Sequence, residues 1–275
     1  VVRLHLHTNQ PHVLFERLGH FGTLSYQKAD DMKKQNDVFA NRKWNIALVT
    51  DSTCDLPDEL LDTYQINVVP VNVHFGENQY LDRLTILPEQ FFILFYSQPD
   101  FPTTSQPNEA AFLNLYSHLS SHYDSIIAVH LSGKFSGTLK NSRSAAQRIS
   151  KETGIKISVL DSHHVSGSLA LLTLRVAQAI EVGTAHGQIV ENFEHWRDNA
   201  RILVSVKNLK YMVRGGRVSP MKGTIARLMN VKPIVSVDHE GNSLLFDKAF
   251  TQKANMRKVM KHIDKFLIGK KTWNY

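Results

Sequence analysis

The chain has 275 residues, 42% of them hydrophobic and 21% charged, an ordinary globular composition with room for one large domain or two medium ones. Its formal net charge of +7 favours acidic partners, but no dense basic run interleaved with aromatics occurs, so a nucleic-acid partner is not expected. No apolar run approaches the ~20 residues of a membrane span, the opening VVRLHLHT lacks a signal-peptide pattern, and the lone Cys54 excludes an internal disulfide. Together these suit a cytoplasmic protein without stable membrane insertion. The first residue is not Met and lies in strand-like sequence, which reads as a piece of a longer polypeptide or a processed one.

Residues 1–8 alternate, with Val2, Leu4 and Leu6 on one side and Arg3, His5 and His7 on the other, which predicts a strand. Pro11–Leu18 reads as a short helix closed by Gly19, and the polar stretch 22–43 as a linker with a boundary near Trp44. Strands and helices then alternate. The strands are expected at 46–50, 68–75, 126–131 and 156–161, and the helices from Pro57 and over 88–97, 108–122, 136–150 and 165–182. Such alternation predicts a parallel sheet covered on both faces. After Thr184 the texture changes. A helix is expected over 186–199, a strand over 201–206, and two strands around the turn Asp238–Asn242. A long amphipathic helix over 251–267 follows, and KKTWNY would begin another strand. This second part reads as mixed α/β.

Three loops, DSTCDLP (51–57), TTSQP (103–107) and SGKFSGT (132–138), lie after strands or before helices. In an open parallel sheet, ligands bind beyond the carboxyl ends of the strands. Free N–H groups and partial positive charge at a helix start suit a carboxylate or phosphate. Each loop alone reads equally as helix capping, with Asp51 and Asp55 capping the helix from Pro57. The chain has no Walker loop, no dinucleotide fingerprint and no esterase elbow, which favours binding over catalysis. Arg214-Gly215-Gly216-Arg217 suits either a bidentate anion clamp or a helix C-cap flanked by solvated arginines. His5 and His7 suit either a shared metal or two exposed edge histidines, and His163-His164 either the strand-end crevice or a surface role.

In order and at family-like spacing, VTDSTCDLP (49–57), PTTSQPN (102–108), SGKFSGTLKNSRSAA (132–146), VLDSHHVSGSLALL (159–172) and LKYMVRGGRVS (209–219) resemble the DegV family. The resemblance implies a DegV-like α/β fold, with a parallel, Rossmann-like subdomain over 44–183 and a mixed α/β subdomain over 184–275. It implies a long-chain fatty acid in a tunnel, its carboxylate presented to a partner kinase for acyl-phosphate formation in phospholipid metabolism, as in a fatty acid kinase B-like subunit. Thr104 and Ser136 match the positions that hydrogen-bond the carboxylate, with Ser105 and the backbone at Gly137 and Thr138 assisting. Arg214 and Arg217 match a basic segment suited to the phosphate or the partner. No cofactor is implied in this part, and the run FFILF (91–95) is a candidate tunnel lining as well as core.

With LHLHTNQP (4–11), GTLS (22–25) and ADDMKKQ (29–35), residues 2–35 resemble the end of the middle domain of a Dak-type kinase subunit, in which a His-x-His pair forms a metal-binding element matched by His5 and His7. That implies zinc near the N-terminal segment and a natural Dak/DegV fusion, with 1–43 as kinase tail plus linker. Two departures from the DegV pattern stand out. The chain stops before a His-Thr-Gly-Pro-Gly-like segment, and Asp247–Phe250 replaces a basic stretch. Two other classes remain: a hydrolase or transferase on a small anionic substrate using Ser136 or His163, and a basic nucleic-acid-binding module.

Overall fold

The computed structural model describes residues 2–29, 31–32, 36, 40–207, 209–217 and 231–269. The chain divides into two compact units, 1–194 and 195–275.

The first unit is built on a four-stranded parallel sheet in the order β2-β1-β6-β7, formed by β1 (Ile46–Asp51), β2 (Asn67–Val69), β6 (Ser125–His130) and β7 (Lys156–Asp161). β1 and β6 are almost continuous apolar runs because both of their faces are covered. Their alternate residues Ala47, Val49, Ile126 and Ala128 share a core with Phe112, Tyr116 and Leu119 of α4 (Glu109–Ser120) and Ala145, Ala146 and Ile149 of α5 (Thr138–Thr153). The opposite face is turned toward α6 (Ser166–Glu181), which packs on β1 and β6 and buries nine of its residues. A short α2 (Asp58–Thr63) joins β1 to β2, and α7 (His186–Asn199) follows α6.

A second, antiparallel sheet in the order β4-β3-β5 stands beside it, made of β3 (Asn72–Phe75), β4 (Asn78–Leu81) and β5 (Thr103–Ser105). The single strand expected over 68–75 is therefore two strands in two sheets. Pro70 lacks the N–H that a continuous ladder needs, and the chain breaks there. β4 was not expected, because Asn78-Gln79-Tyr80-Leu81 has no apolar alternation; a turn with Gly76 at φ 57° returns the chain into it. Residues 103–105, expected as loop, form β5. The apolar side of this sheet (Val73, Phe75 and Tyr80) packs on Phe91, Leu94 and Phe95 of α3 (Pro88–Ser97).

Residues 2–8 form no strand, contrary to the alternation in their sequence. Val2, Leu4 and Leu6 are exposed and no strand pairs with them among the described residues. α1 (Pro11–Gly19) forms as expected, and Gln90 of α3 donates to Glu16 Oε2 at 2.7 Å. Leu24 then runs along β4, its N–H donating to Asn78 Oδ1 at 2.8 Å and its carbonyl accepting the Gln79 N–H at 2.9 Å.

The second unit is mixed α/β. Its antiparallel sheet β10-β9-β8 comprises β8 (Val204–Ser205), β9 (Lys232–Val237) and β10 (Ser243–Ala249), covered by α9 (Gln252–Leu267). Asp238 closes the expected hairpin by accepting the Glu240 and Asn242 N–H groups. A bulge between Leu245 and Asp247 turns Phe246 onto His262 and Phe266 of α9. The strand expected at 201–206 shortens to β8, and residues 210–214 form the short helix α8 (Lys210–Arg214). The strand expected in KKTWNY lies outside the described residues.

Candidate functional site

β5 places its hydroxyls on two faces. Thr104 pairs with Val73 and so stands on the side of the sheet that carries Phe75, Phe91 and Phe95, while itself remaining exposed. Ser105 pairs with Asn72 and points to the other face, where His74 Nε2 lies 2.9 Å and Asn72 Nδ2 3.3 Å from its Oγ. Thr104 and Ser105 therefore do not share one side of the strand; Ser105 fixes β5 against β3.

Immediately after β5 the chain is tied to the start of α5. Asn72 donates to the Gln106 carbonyl at 3.2 Å and Asn141 of α5 to the Pro107 carbonyl at 2.8 Å. The Gln106 amide lies against Gly137, so that a Cβ there would meet Gln106 Nε2 at 2.7 Å. This contact brings the TTSQP and SGKFSGT loops together, as the sequence suggested. Ser136 accepts the Thr138 N–H at 3.2 Å, and its hydroxyl is hydrogen-bonded to that of Thr138 at 2.8 Å, which presets the turn into α5. Gly137 is the N-cap residue and supplies no side-chain acceptor to the first-turn N–H groups. The result is a half-buried hydroxyl beside a helix N-terminus, with no acidic residue in the first turn of that helix, an arrangement that suits an anion.

Asp51 and Asp55 do not cap the helix after Pro57, whose N-cap makes no side-chain bond. Asp55 accepts the Ser166 hydroxyl. Asp51 instead anchors a buried chain that sequence reasoning missed. Its Oδ1 accepts the Thr53 N–H at 3.1 Å and the Thr53 hydroxyl at 2.6 Å; its Oδ2 accepts the Leu131 N–H at 3.0 Å and lies 3.0 Å from His130 Nδ1. His130 Nε2 lies 2.9 Å from Ser142 Oγ, which is 2.6 Å from the Tyr116 hydroxyl. All four side chains are sealed from solvent. Burial alone would raise the Asp51 carboxyl, but the hydrogen bond and charge of His130, with the Thr53 and Leu131 bonds, hold it below its ordinary value. Burial pushes the Tyr116 hydroxyl up. One signal was available: a histidine ending the apolar strand Ser125–His130 must find partners or pay desolvation.

The other candidates sit apart from this arrangement. Ser136 bonds Thr138, and His163 lies beside Asp161, its backbone N–H donating to Asp161 Oδ1 at 2.9 Å. The ring centroids of His5 and His7 are 5.0 Å apart, and no group of three or more metal-ligating side chains gathers among the described residues. In the second unit, Gly216 at φ 75° ends α8, with Gly216 N–H on the Val213 carbonyl and Arg217 N–H on that of Met212, the Schellman C-cap. The Arg217 guanidinium turns back onto the Gly215 carbonyl, and Arg214 and Arg217 are both exposed. A hollow of about 10 Å³ lined by Trp44, Tyr64 and Tyr123 lies at the amino ends of the parallel strands and is too small for a lipid.

The family model described as "Uncharacterised protein, DegV family" matches residues 45–274. The chain belongs to the DegV family. A DegV domain-containing protein of Staphylococcus aureus is 32% identical over 220 residues, 80% of this chain and 77% of that one. Protein DegV of Bacillus subtilis is 31% identical over 221 residues, again 80% and 77%. Among solved structures, a fatty-acid-binding DegV family protein from Thermus thermophilus superposes with a TM-score of 0.76 at 29% identity, covering 82% of this chain and 79% of that one. DegV of Bacillus subtilis, described as a fatty acid binding protein, gives 0.74 at 29% identity over 81% and 78%. The α/β fold with its parallel sheet is thus that of the DegV family. No described helix is long and apolar enough to cross a membrane.

Proposed function

We propose that this chain binds a long-chain fatty acid, its carboxylate held by the hydroxyls of Thr104 and Ser136 and the backbone N–H of Gly137, while the Thr138 N–H, bonded to Ser136 Oγ, holds that hydroxyl in place. The observation that carries this reading is the packing of Gln106 on Gly137, which sets β5 and the N-terminus of α5 side by side. Thr104 also emerges on the aromatic side of its sheet, so apolar surface adjoins the polar donors. Each buried methylene contributes ~0.8 kcal/mol, so the acyl chain supplies most of the affinity and the donors orient the head group. Ser105 serves by holding β5 in register. The fatty-acid-binding relatives at 29% identity support the same ligand class.

As part of the same proposal, the bound carboxylate is offered to a Dak-type kinase module that forms the acyl-phosphate, with Arg214 and Arg217 facing phosphate or partner. Residues 1–43 are then kinase tail and linker, with His5 and His7 contributing to a zinc site completed elsewhere, and 44–183 and 184–275 are the two subdomains. The test is titration of the purified chain with palmitate. Thr104→Ala and Ser136→Ala each weaken binding about tenfold, the worth of one charge-assisted hydrogen bond, with unfolding midpoints unchanged. Unaltered affinity in both variants would remove the proposed head-group site.

A further inference from the structure

The buried chain Asp51–His130–Ser142–Tyr116 joins β1, β6, α5 and α4 at the level where the parallel strands end. A carboxylate accepts, so His130 Nδ1–H donates to Asp51. His130 Nε2 and the Tyr116 hydroxyl both bond Ser142 Oγ, so each buried polar side chain of the chain is satisfied.

Ser142 stands one turn beyond Thr138 on the buried face of α5, and Thr138 is itself sealed from solvent. The Ser142 bond therefore fixes the first turn of α5 relative to β6. From the other end, Asp51 fixes the loop after β1 through Thr53 and the loop after β6 through the Leu131 N–H. One carboxylate thus sets the base of two of the three loops at this end of the sheet, and through His130 and Ser142 it sets the helix that carries the third set of contacts, Gly137 with Gln106 and Asn141 with Pro107.

We propose that His130 is a positioning residue for the head-group site: held by Asp51, it fixes the first turn of α5 through Ser142 and so aims the donors of Ser136 and Gly137 at the ligand carboxylate. The inference rests on the carboxylate reading given above. His130 touches no ligand, and its effect is on where α5 begins. Without the Ser142 bond, a buried imidazole nitrogen and the Tyr116 hydroxyl lose a partner. The first turn then relaxes, and hydrogen bonds to a carboxylate weaken steeply with misalignment.

The experiment compares palmitate with its methyl ester, which keeps the acyl chain and lacks the negative charge. Ser142→Ala, which removes one oxygen from a helix interior, and His130→Asn are titrated with both lipids alongside the unaltered chain, and their folding is followed by near-ultraviolet circular dichroism. The expected result is an affinity for palmitate lowered about tenfold, an unchanged affinity for the ester, and hence a collapsed preference for acid over ester. If His130→Asn does not fold, Ser142→Ala decides alone. An unaltered chain that prefers palmitate, with a folded Ser142→Ala chain that keeps the full preference, overturns the positioning role and leaves the carboxylate site standing. Equal loss of both lipids in Ser142→Ala also overturns it, assigning the chain of bonds to folding. An unaltered chain with no preference for acid over ester overturns the carboxylate reading, and this inference with it.

Discussion

Gln106 lies directly on Gly137: a Cβ at that glycine would stand 2.7 Å from the Gln106 amide nitrogen and 3.0 Å from its carbonyl carbon. Only a residue without a side chain lets the loop after β5 approach the N-cap of α5 so closely. Gly137→Ala therefore displaces the Gln106 side chain, a flexible group whose movement costs at most about 1 kcal/mol of stability. The cost to palmitate affinity is the larger effect. Gln106→Ala combined with Gly137→Ala recovers much of the loss, and a double-mutant cycle measures that coupling.

Phe112 ties the same region to the core. It is fully buried, 6.0 Å from the Tyr116 ring and 5.4 Å edge-on from His130. Phe112→Ala is expected to lower stability by roughly 3–5 kcal/mol in chemical denaturation, through lost burial and the cavity left behind.

His186 is held neutral. Its Nδ1 lies 2.8 Å from Ser125 Oγ and its Nε2 2.8 Å from Ser158 Oγ, and burial, with Lys156 nearby, lowers its pKa from 6.5 to about 4. The unfolded chain then binds more protons than the folded one between those values, so stability rises with pH across that window. The contribution is fully present above about pH 6.5 and is lost progressively as the pH falls toward 4. Denaturation at pH 7.5 and pH 5 should show a larger drop for the unaltered chain than for His186→Gln.

Asp247 titrates lower. Burial opposes its ionisation, but His262 at 2.8 Å and Lys258 at 2.7 Å outweigh that and bring its pKa to about 2. Being depressed, it contributes stability above the ordinary carboxylate range that is lost as the pH falls from 3.8 through about 2. Asp247→Asn should lower the stability of the second unit by about 1 kcal/mol at neutral pH and flatten its acid limb, read by urea titration followed through hydrogen exchange at β10 and α9.

The parallel sheet was legible because burial on both faces leaves an unmistakable trace. Ile46–Val49 and Ile126–Val129 are apolar throughout, and each strand runs into a hydroxyl-rich loop. The second sheet was not, because two of its strands, Asn78–Leu81 and Thr103–Ser105, are short and polar and owe their conformation to pairing with β3 rather than to their own pattern. The alternation of Val2, Leu4 and Leu6 misled for the converse reason: a period of two needs a partner strand to become a sheet. Thr104, Ser136 and Gly137 could be picked out from their loops, whereas the opposed faces of Thr104 and Ser105 follow from a register set by Asn72 and His74, some thirty residues earlier. His130 and Ser142 escaped notice because each, taken alone, looks like an incidental polar residue in a strand or a helix. Their meaning lies in a contact between β6 and α5 that no local pattern encodes.

Native mass spectrometry of the purified protein shows at once whether this chain holds a fatty acid. The expected result is an added mass of fatty-acid size, released on denaturing lipid extraction and exchanged for added palmitate or oleate, with weaker retention in Thr104→Ala and Ser136→Ala. A folded chain that carries no such mass and takes up no fatty acid at saturating concentration would contradict it.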